Sequence, residues 1–309
     1  VIKIDLITGF LGAGKTTFIK KYVQYLKNQG DYVGILENDY GAVNVDMMLF
    51  SELLDDRCDI EMVAGGCDRD CYRRRFKTKL IAMGMSGYDR VVVEPSGIFD
   101  VEEFFDLLQE EPINRWYEIG SVISIVDAEQ QLELSENSRY IMATQIACSG
   151  KLIISKAENV EPQKIEKLTD YIKESLALIK CDRQEELSIL RKPWKDLGDQ
   201  DFLDISESGY CKCGYLKRWF SQSDEYSAVY IMDRDIDINH LEDIIKELFQ
   251  DDSCGQVMRI KGFVDTANGW LEVNATKNHT NTQEIDRGQK VVIVIGSGLV
   301  EEKIQEYFH

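Results

Sequence analysis

The chain is 309 residues long, 44% hydrophobic and 29% charged, with a formal net charge of −19. This composition belongs to a globular protein with a sizeable core and room for two domains, and its acidity excludes nucleic acid or an anionic membrane as the main partner. No apolar run approaches the ~18 residues that span a bilayer, and the first strand starts at once, leaving no room for a signal peptide, so a cytoplasmic chain with reduced cysteines is expected.

Val1 to Ile7 alternates apolar residues and reads as a strand over Ile2–Ile7. Gly9 to Thr17 follows as GFLGAGKTT and fits G-x-x-x-x-G-K-[ST] at Gly9, Gly14, Lys15 and Thr16. Glycines let consecutive backbone N–H groups turn inward on phosphate oxygens, so Gly12, Ala13, Gly14 and Thr17 join the nucleotide-binding set. Lys15 reaches the β- and γ-phosphates, and the Thr16 hydroxyl holds Mg²⁺. A helix then carries Phe18, Tyr22, Tyr25 and Leu26 at helical spacing and ends on Gly30. Strand, glycine loop and helix stand in the order a P-loop requires.

A second strand, Tyr32–Leu36, leads into ENDYGAVNVD, Glu37 to Asp46. This loop reads either as a switch that senses the γ-phosphate, with Asp39 or Asp46 near the metal or the attacking water, or as an ordinary polar turn. The third strand, Arg90–Val93, delivers Glu94, then Pro95, Ser96 and Gly97. Glu94 there suits Mg²⁺, and the Gly97 N–H suits the γ-phosphate; Ser96 and Asp100 also make good helix caps. A helix over Asp100–Leu108 and strands over Ser121–Val126 and Lys151–Ile154 come next. The last of these ends in Ser155-Lys156-Ala157-Glu158, where many GTPases carry N-K-x-D. Glu158 offers a guanine-reading carboxylate one methylene longer, and Lys156 a stem to pack over the base. Both ends of the motif depart, so GTP and ATP both stay open. A helix over Gln163–Leu178 follows.

Asp182–Asp224 is polar and irregular and reads as a linker or subdomain boundary. Beyond it come strands at Tyr226–Met232, Val257–Val264, Trp270–Ala275 and Val291–Ile295, with helices at Ile238–Phe249 and Val300–Phe308. The expected fold is α/β: a P-loop NTPase with a mainly parallel sheet over 1–182, a linker or subdomain over 183–225, and a small C-terminal α+β domain over 226–309.

Four signatures together resemble the CobW family of GTPases, metal-trafficking relatives of the urease and hydrogenase nickel-insertion GTPases. They are GFLGAGKTT, NDYGAVNVD, VVVEPSG, and ISIVDA with Asp127; GQVMRIKGFV and VVIVIGSGL look like the family's C-terminal domain. The resemblance covers residues 1–160 well and 226–309 moderately. It implies a switch, run by slow GTP hydrolysis with Lys15, Asp39 and Glu94 as catalytic residues and Mg²⁺ on Thr16 and Glu94. That switch would deliver a metal or metal cofactor to a client metalloprotein or corrinoid protein, with a nucleotide- or metal-dependent homodimer as a further implication. A nucleotide-gated binding module with little turnover, and a P-loop small-molecule kinase, are the alternatives.

Family metal binding centres on G-C-x-C-C. This chain has Gly66-Cys67-Asp68-Arg69-Asp70-Cys71 instead. Two thiolates do not complete the four-ligand shell usual for Zn²⁺, so Cys67 and Cys71 stand as a transition-metal pair for Zn, Co or Ni, or as two loop cysteines. Cys211-Lys212-Cys213 is a second pair, either soft-metal or redox in chemistry. Cys58, Cys148, Cys181 and Cys254 read as packing or surface thiols. Arg73, Arg74 and Arg75 read as a solvated helix face or a phosphate-facing cluster. Only three histidines, His240, His279 and His309, are present, too few for an imidazole-based store.

Overall fold

The computed structural model describes residues 1–39, 50–64, 69–95, 101–130, 132, 134–217, 227–266, 269–286 and 288–308. Two compact units divide the chain, one holding the described residues up to 217 and the other those from 227 onward. Among the described residues no helix is long and apolar enough to cross a membrane.

The first unit is a seven-stranded sheet in the order β3-β2-β4-β1-β5-β6-β7. Its strands are β1 (Ile2–Gly9), β2 (Val33–Asp39), β3 (Cys58–Ala64), β4 (Arg90–Pro95), β5 (Tyr117–Asp127), β6 (Lys151–Ser155) and β7 (Ile189–Leu190). Every pairing is parallel. Parallel sheets are covered on both faces, which is why β4 is buried at all six positions and β1 at all but Lys3. Val91 and Val93 pack with Phe76 and Leu80 of α2 (Arg69–Gly84) and Phe104 and Leu107 of α3 (Val101–Gln109), where Ala143 and Ala147 of α4 (Glu136–Ala147) also lie. Val92 faces the other way, toward Phe18 and Tyr22 of α1 (Lys15–Gln29). The period-two alternation of a strand thus feeds two cores at once. Helix α5 (Pro162–Leu178) covers β6 through Leu168 and Ile172.

One charge pair lies inside this sheet. Arg90 Nη1 donates to Asp5 Oδ2 at 2.8 Å, Tyr22 Oη donates to the same oxygen at 2.7 Å, and the Ser121 N–H donates to Asp5 Oδ1 at 2.8 Å. Burial works against the Arg90 charge, but Asp5 and Tyr22 outweigh it and push its pKa up. The network ties β1, β4, β5 and α1 together, and it satisfies a carboxylate that would otherwise be costly to bury.

The stretch expected as a linker or subdomain packs against this unit over much of its described length. Ile189–Leu190 is the seventh strand, paired with Leu152 and Ile153. Helix α6 (Asp199–Ser206) buries Phe202 and Ile205 against α1, with Phe202 stacked on Tyr25 at 5.5 Å. Polar composition hides this because a two-residue strand has no periodicity and α6 buries one stripe only. Strand β3 also lies outside the sequence expectation. It is an edge strand whose Asp59 is exposed and whose Glu61 pairs with Lys79 at 2.5 Å, so its apolar alternation is diluted.

The second unit is a five-stranded sheet in the order β11-β10-β9-β12-β8, with every pairing antiparallel. Its elements are β8 (Ser227–Met232), α7 (Ile238–Leu248), β9 (Gln256–Thr266), β10 (Gly269–Thr276), β11 (His279–Ile285), β12 (Val291–Ser297) and α8 (Glu301–Glu306). Leu241, Ile245, Leu248 and Ile304 from the helices pack on Val229, Ile231, Ile260, Val292 and Val294. Strand β11 was not expected: its HTNTQEI is polar and exposed almost throughout, and only pairing to β10 makes it a strand.

Candidate functional site

The motif after β1 folds as a glycine-dependent loop at the carboxyl end of the central strand. Gly9, Gly12 and Gly14 have φ of 150°, 79° and 94°. A Cβ on Gly9 would stand 2.3 Å from the Ile125 carbonyl oxygen, so only glycine fits there. Helix α1 starts at Lys15, so the N–H groups of its first turn lie at the loop. The Lys15 ammonium is held inside the loop, donating to the Gly9 carbonyl at 3.0 Å, and its side chain is buried. Ala13 is buried, while Thr17 is exposed on α1.

Glu94, at the end of β4, meets this loop. Thr16 Oγ1 donates to Glu94 Oε1 at 3.0 Å. The neighbouring strand places Glu37 in register with Glu94, and both are buried. Register partners leave a sheet on the same face. A hydroxyl and two buried carboxylates are hard oxygen donors, and this concentration of negative charge suits a small divalent cation. Glu37 was not singled out from the sequence, where it reads as the last apolar-strand neighbour of a polar loop.

The third element is the loop after β6. Ser155 Oγ is buried and donates to the Ala13 carbonyl at 2.7 Å, fastening this loop to the glycine loop. Lys156 takes a left-handed backbone with φ of 54° and donates to Asp127 Oδ2 at 2.5 Å, with Glu129 Oε2 at 3.7 Å. Glu129 is anchored in turn by Asn159 at 3.1 Å. Glu158 is exposed in the 3₁₀ turn Ala157–Asn159. Trp194, in the turn after β7, leans on the glycine loop: a Cβ on Gly14 would lie 3.5 Å from its indole nitrogen. This neighbour was legible only once β7 was known to be a strand.

Of the remaining sequence candidates, Gly97 and Cys67 lie outside the described residues, as does Asp46. For Asp39 only the backbone, last in β2, is described. Cys71 sits half-buried in α2. The structure therefore brings together Gly12, Ala13, Gly14, Lys15, Thr16, Glu94, Ser155 and Lys156 at the carboxyl edge of the sheet, where open α/β sheets bind ligands.

Comparison with known proteins gives two family matches. Residues 3–181 match the model described as CobW/HypB/UreG, nucleotide-binding domain, and residues 226–309 match the cobalamin synthesis protein cobW C-terminal domain. The zinc chaperone YjiA of Escherichia coli is 28% identical over 168 residues, 51% of this chain and 50% of that protein. The zinc chaperone YeiR of the same organism is 26% identical over 162 residues, 52% of this chain and 48% of that one. The chain thus spans about half the length of these curated relatives. A crystal structure of Zn(II)-bound YjiA GTPase from E. coli aligns with a TM-score of 0.40 at 19% identity, covering 99% of this chain and 98% of that one.

Proposed function

The chain belongs to the CobW/HypB/UreG family, and from that premise we propose that it hydrolyses GTP and uses the cycle to deliver a transition metal to a client metalloprotein. The observation that carries the nucleotide part is the Thr16–Glu94 contact at 3.0 Å beside the buried Lys15. Thr16 and Glu94 are the residues that would hold Mg²⁺, which when bound neutralises charge on the β- and γ-phosphate oxygens. Lys15 holds the β- and γ-phosphates, and the α1 N-terminus adds its partial positive charge to the same oxygens. Ser155, Lys156 and Glu158 form the base-reading side, with Glu158 accepting from the guanine ring. Gly97 meets the γ-phosphate and Asp39 orients the attacking water.

Metal delivery rests on family membership and on relatives named zinc chaperones. In this reading zinc, cobalt or nickel is cargo, taken up at Cys67 and Cys71. The experiment is Mg²⁺-dependent phosphate release from GTP and from ATP, measured beside equilibrium binding of both nucleotides. GTP-selective release supports the reading. Equal binding of ATP and GTP refutes the guanine assignment, and phosphate appearing on a small-molecule acceptor would make the chain a kinase. Negligible release until a metalloprotein or corrinoid client is added points to a nucleotide-gated binding module instead.

A further inference from the structure

The sheet of the first unit has a second chemical edge, at the amino-terminal ends of β6 and β7. Helix α4 runs out at Cys148, just before β6, and Cys181 follows α5, before β7. The segment after α6 crosses both. The Cys211 N–H donates to the Cys148 carbonyl at 3.0 Å, the Asp182 N–H to the Gly214 carbonyl at 3.0 Å, and the Leu216 N–H to the Ile179 carbonyl at 2.7 Å. Four thiols, those of Cys148, Cys181, Cys211 and Cys213, are gathered by this zipper. Cys213 Sγ lies 3.8 Å from Cys148 Sγ and donates to the Ala147 carbonyl at 3.2 Å, and Cys181 packs into the same cluster. A cleft of about 440 Å³ opens beside them, lined by Cys148, Cys211, Cys213 and Asp182 among others.

Buried cysteines usually serve as small apolar residues. Two observations separate this group from that role. Two sulfurs on one tetrahedral zinc, each at ~2.3 Å, stand about 3.8 Å apart, which is the Cys148–Cys213 spacing. Arg183 is fixed beside the group, its Nη1 donating to the carbonyls of Ala147 and Ser149 at 3.0 and 2.7 Å, so a cation offsets thiolate charge there.

We propose that Cys148, Cys181, Cys211 and Cys213 form a thiolate site for a soft divalent cation of the zinc class, at the sheet edge opposite the nucleotide. Among the described residues no three such side chains converge on one point as they stand. The Cys148–Cys213 pair supplies two sulfurs at ligand spacing, and Cys181 and Cys211 complete the shell by side-chain rotation. Each thiol that ligates releases one proton to solvent. The bound ion staples the segment after α6 to the ends of α4 and α5. None of this rests on nucleotide hydrolysis.

The test uses the full chain, reduced and anaerobic, titrated with Co²⁺ as a probe and then with Zn²⁺. The Cys67→Ser, Cys71→Ser double variant is the background, so that cargo binding at the other pair does not contribute. A thiolate-to-cobalt charge-transfer band with near-stoichiometric saturation, bleached by Zn²⁺, is expected in that background. Adding Cys213→Ser weakens binding roughly ten-fold or more, the loss seen when even a supporting partner of a metal site is removed. Half-exposed Cys181→Ser gives the same direction and stands in if the Cys213 variant does not fold. No band in the background variant overturns the assignment, as does a band unchanged by both serine substitutions. A Cys148–Cys213 disulfide that persists in reduced, alkylated protein overturns it too.

Discussion

The two sheets of this molecule solve the burial problem in opposite ways. The parallel sheet is covered on both faces, so its buried strand positions are mostly apolar, and polar ones such as Asp5, Arg90, Thr8 and Ser124 are hydrogen-bonded. Its reactive groups are confined to strand ends: Lys15, Thr16, Glu94 and Ser155 at the carboxyl edge, thiols at the amino edge. The antiparallel sheet packs α7 and α8 through alternate residues and ends in β11, exposed almost throughout. A doubly covered sheet forces chemistry to its edges, whereas an edge strand such as β11 carries polar residues that neither hold the core nor build a site.

The largest expected effect tests the strand-end half of that contrast. Thr16→Ala and Glu94→Gln should each lower Mg²⁺-dependent phosphate release by orders of magnitude, because catalysis in such sites is mainly positioning and charge stabilisation. The thermal transition should hardly move. Turnover near that of the parent in either variant removes Thr16 and Glu94 from the machinery.

Next in size is a strand-interior change. Arg90→Met leaves the Asp5 carboxylate buried beside one tyrosine and one N–H, and should cost about 3–5 kcal/mol. Thr282→Ala on β11 should stay within about 0.5 kcal/mol. Denaturant midpoints of the two variants check the contrast, and equal shifts would dissolve it.

A smaller change sits on the base-reading turn. Glu158→Ala should weaken GTP by about 1.5–3 kcal/mol while ATP binding stays put, as loss of a hydrogen bond to a charged acceptor predicts. Parallel loss of both nucleotides would assign Glu158 to local folding instead.

The smallest effect belongs to the second unit and appears only in acid. Asp251 accepts from the Ser253 N–H at 2.9 Å and from Tyr307 Oη at 2.8 Å. The Ser253 contacts first, then Tyr307, lower its pKa from 3.8 to about 2. A carboxyl depressed on folding stabilises above its unfolded pKa and loses that contribution as pH falls through the folded one. The melting temperature of the parent should therefore exceed that of Asp251→Asn above pH 3.8, and the gap should close toward about pH 2. A gap that widens on acidification contradicts the sign.

Much of this was legible in the sequence where a local rule applies. GFLGAGKTT fixes loop, helix start and lysine within nine residues because backbone geometry alone demands those types. Strands β1, β4 and β6 announce themselves as apolar runs. What was hidden depends on contacts between distant residues. Strand β11 has no apolar period, and β7 is two residues long. Glu37 gains meaning only through its register with Glu94. Cys148 and Cys213 are 65 positions apart, and nothing local in the sequence shows that their sulfurs meet. The place of α6 was hidden for the same reason, since its stripe shows its purpose only against the aromatic face of α1.

The turn after β7 leaves one optical consequence. The chain has four tryptophans, and the indole of Trp194 lies against both Phe18, at 5.5 Å, and the face of Gly14. Its emission reports the polarity and packing around the glycine loop directly. Filling that loop changes the ring's surroundings, so occupancy is readable in real time from intrinsic fluorescence without a labelled nucleotide, and Trp194→Phe supplies the dark reference.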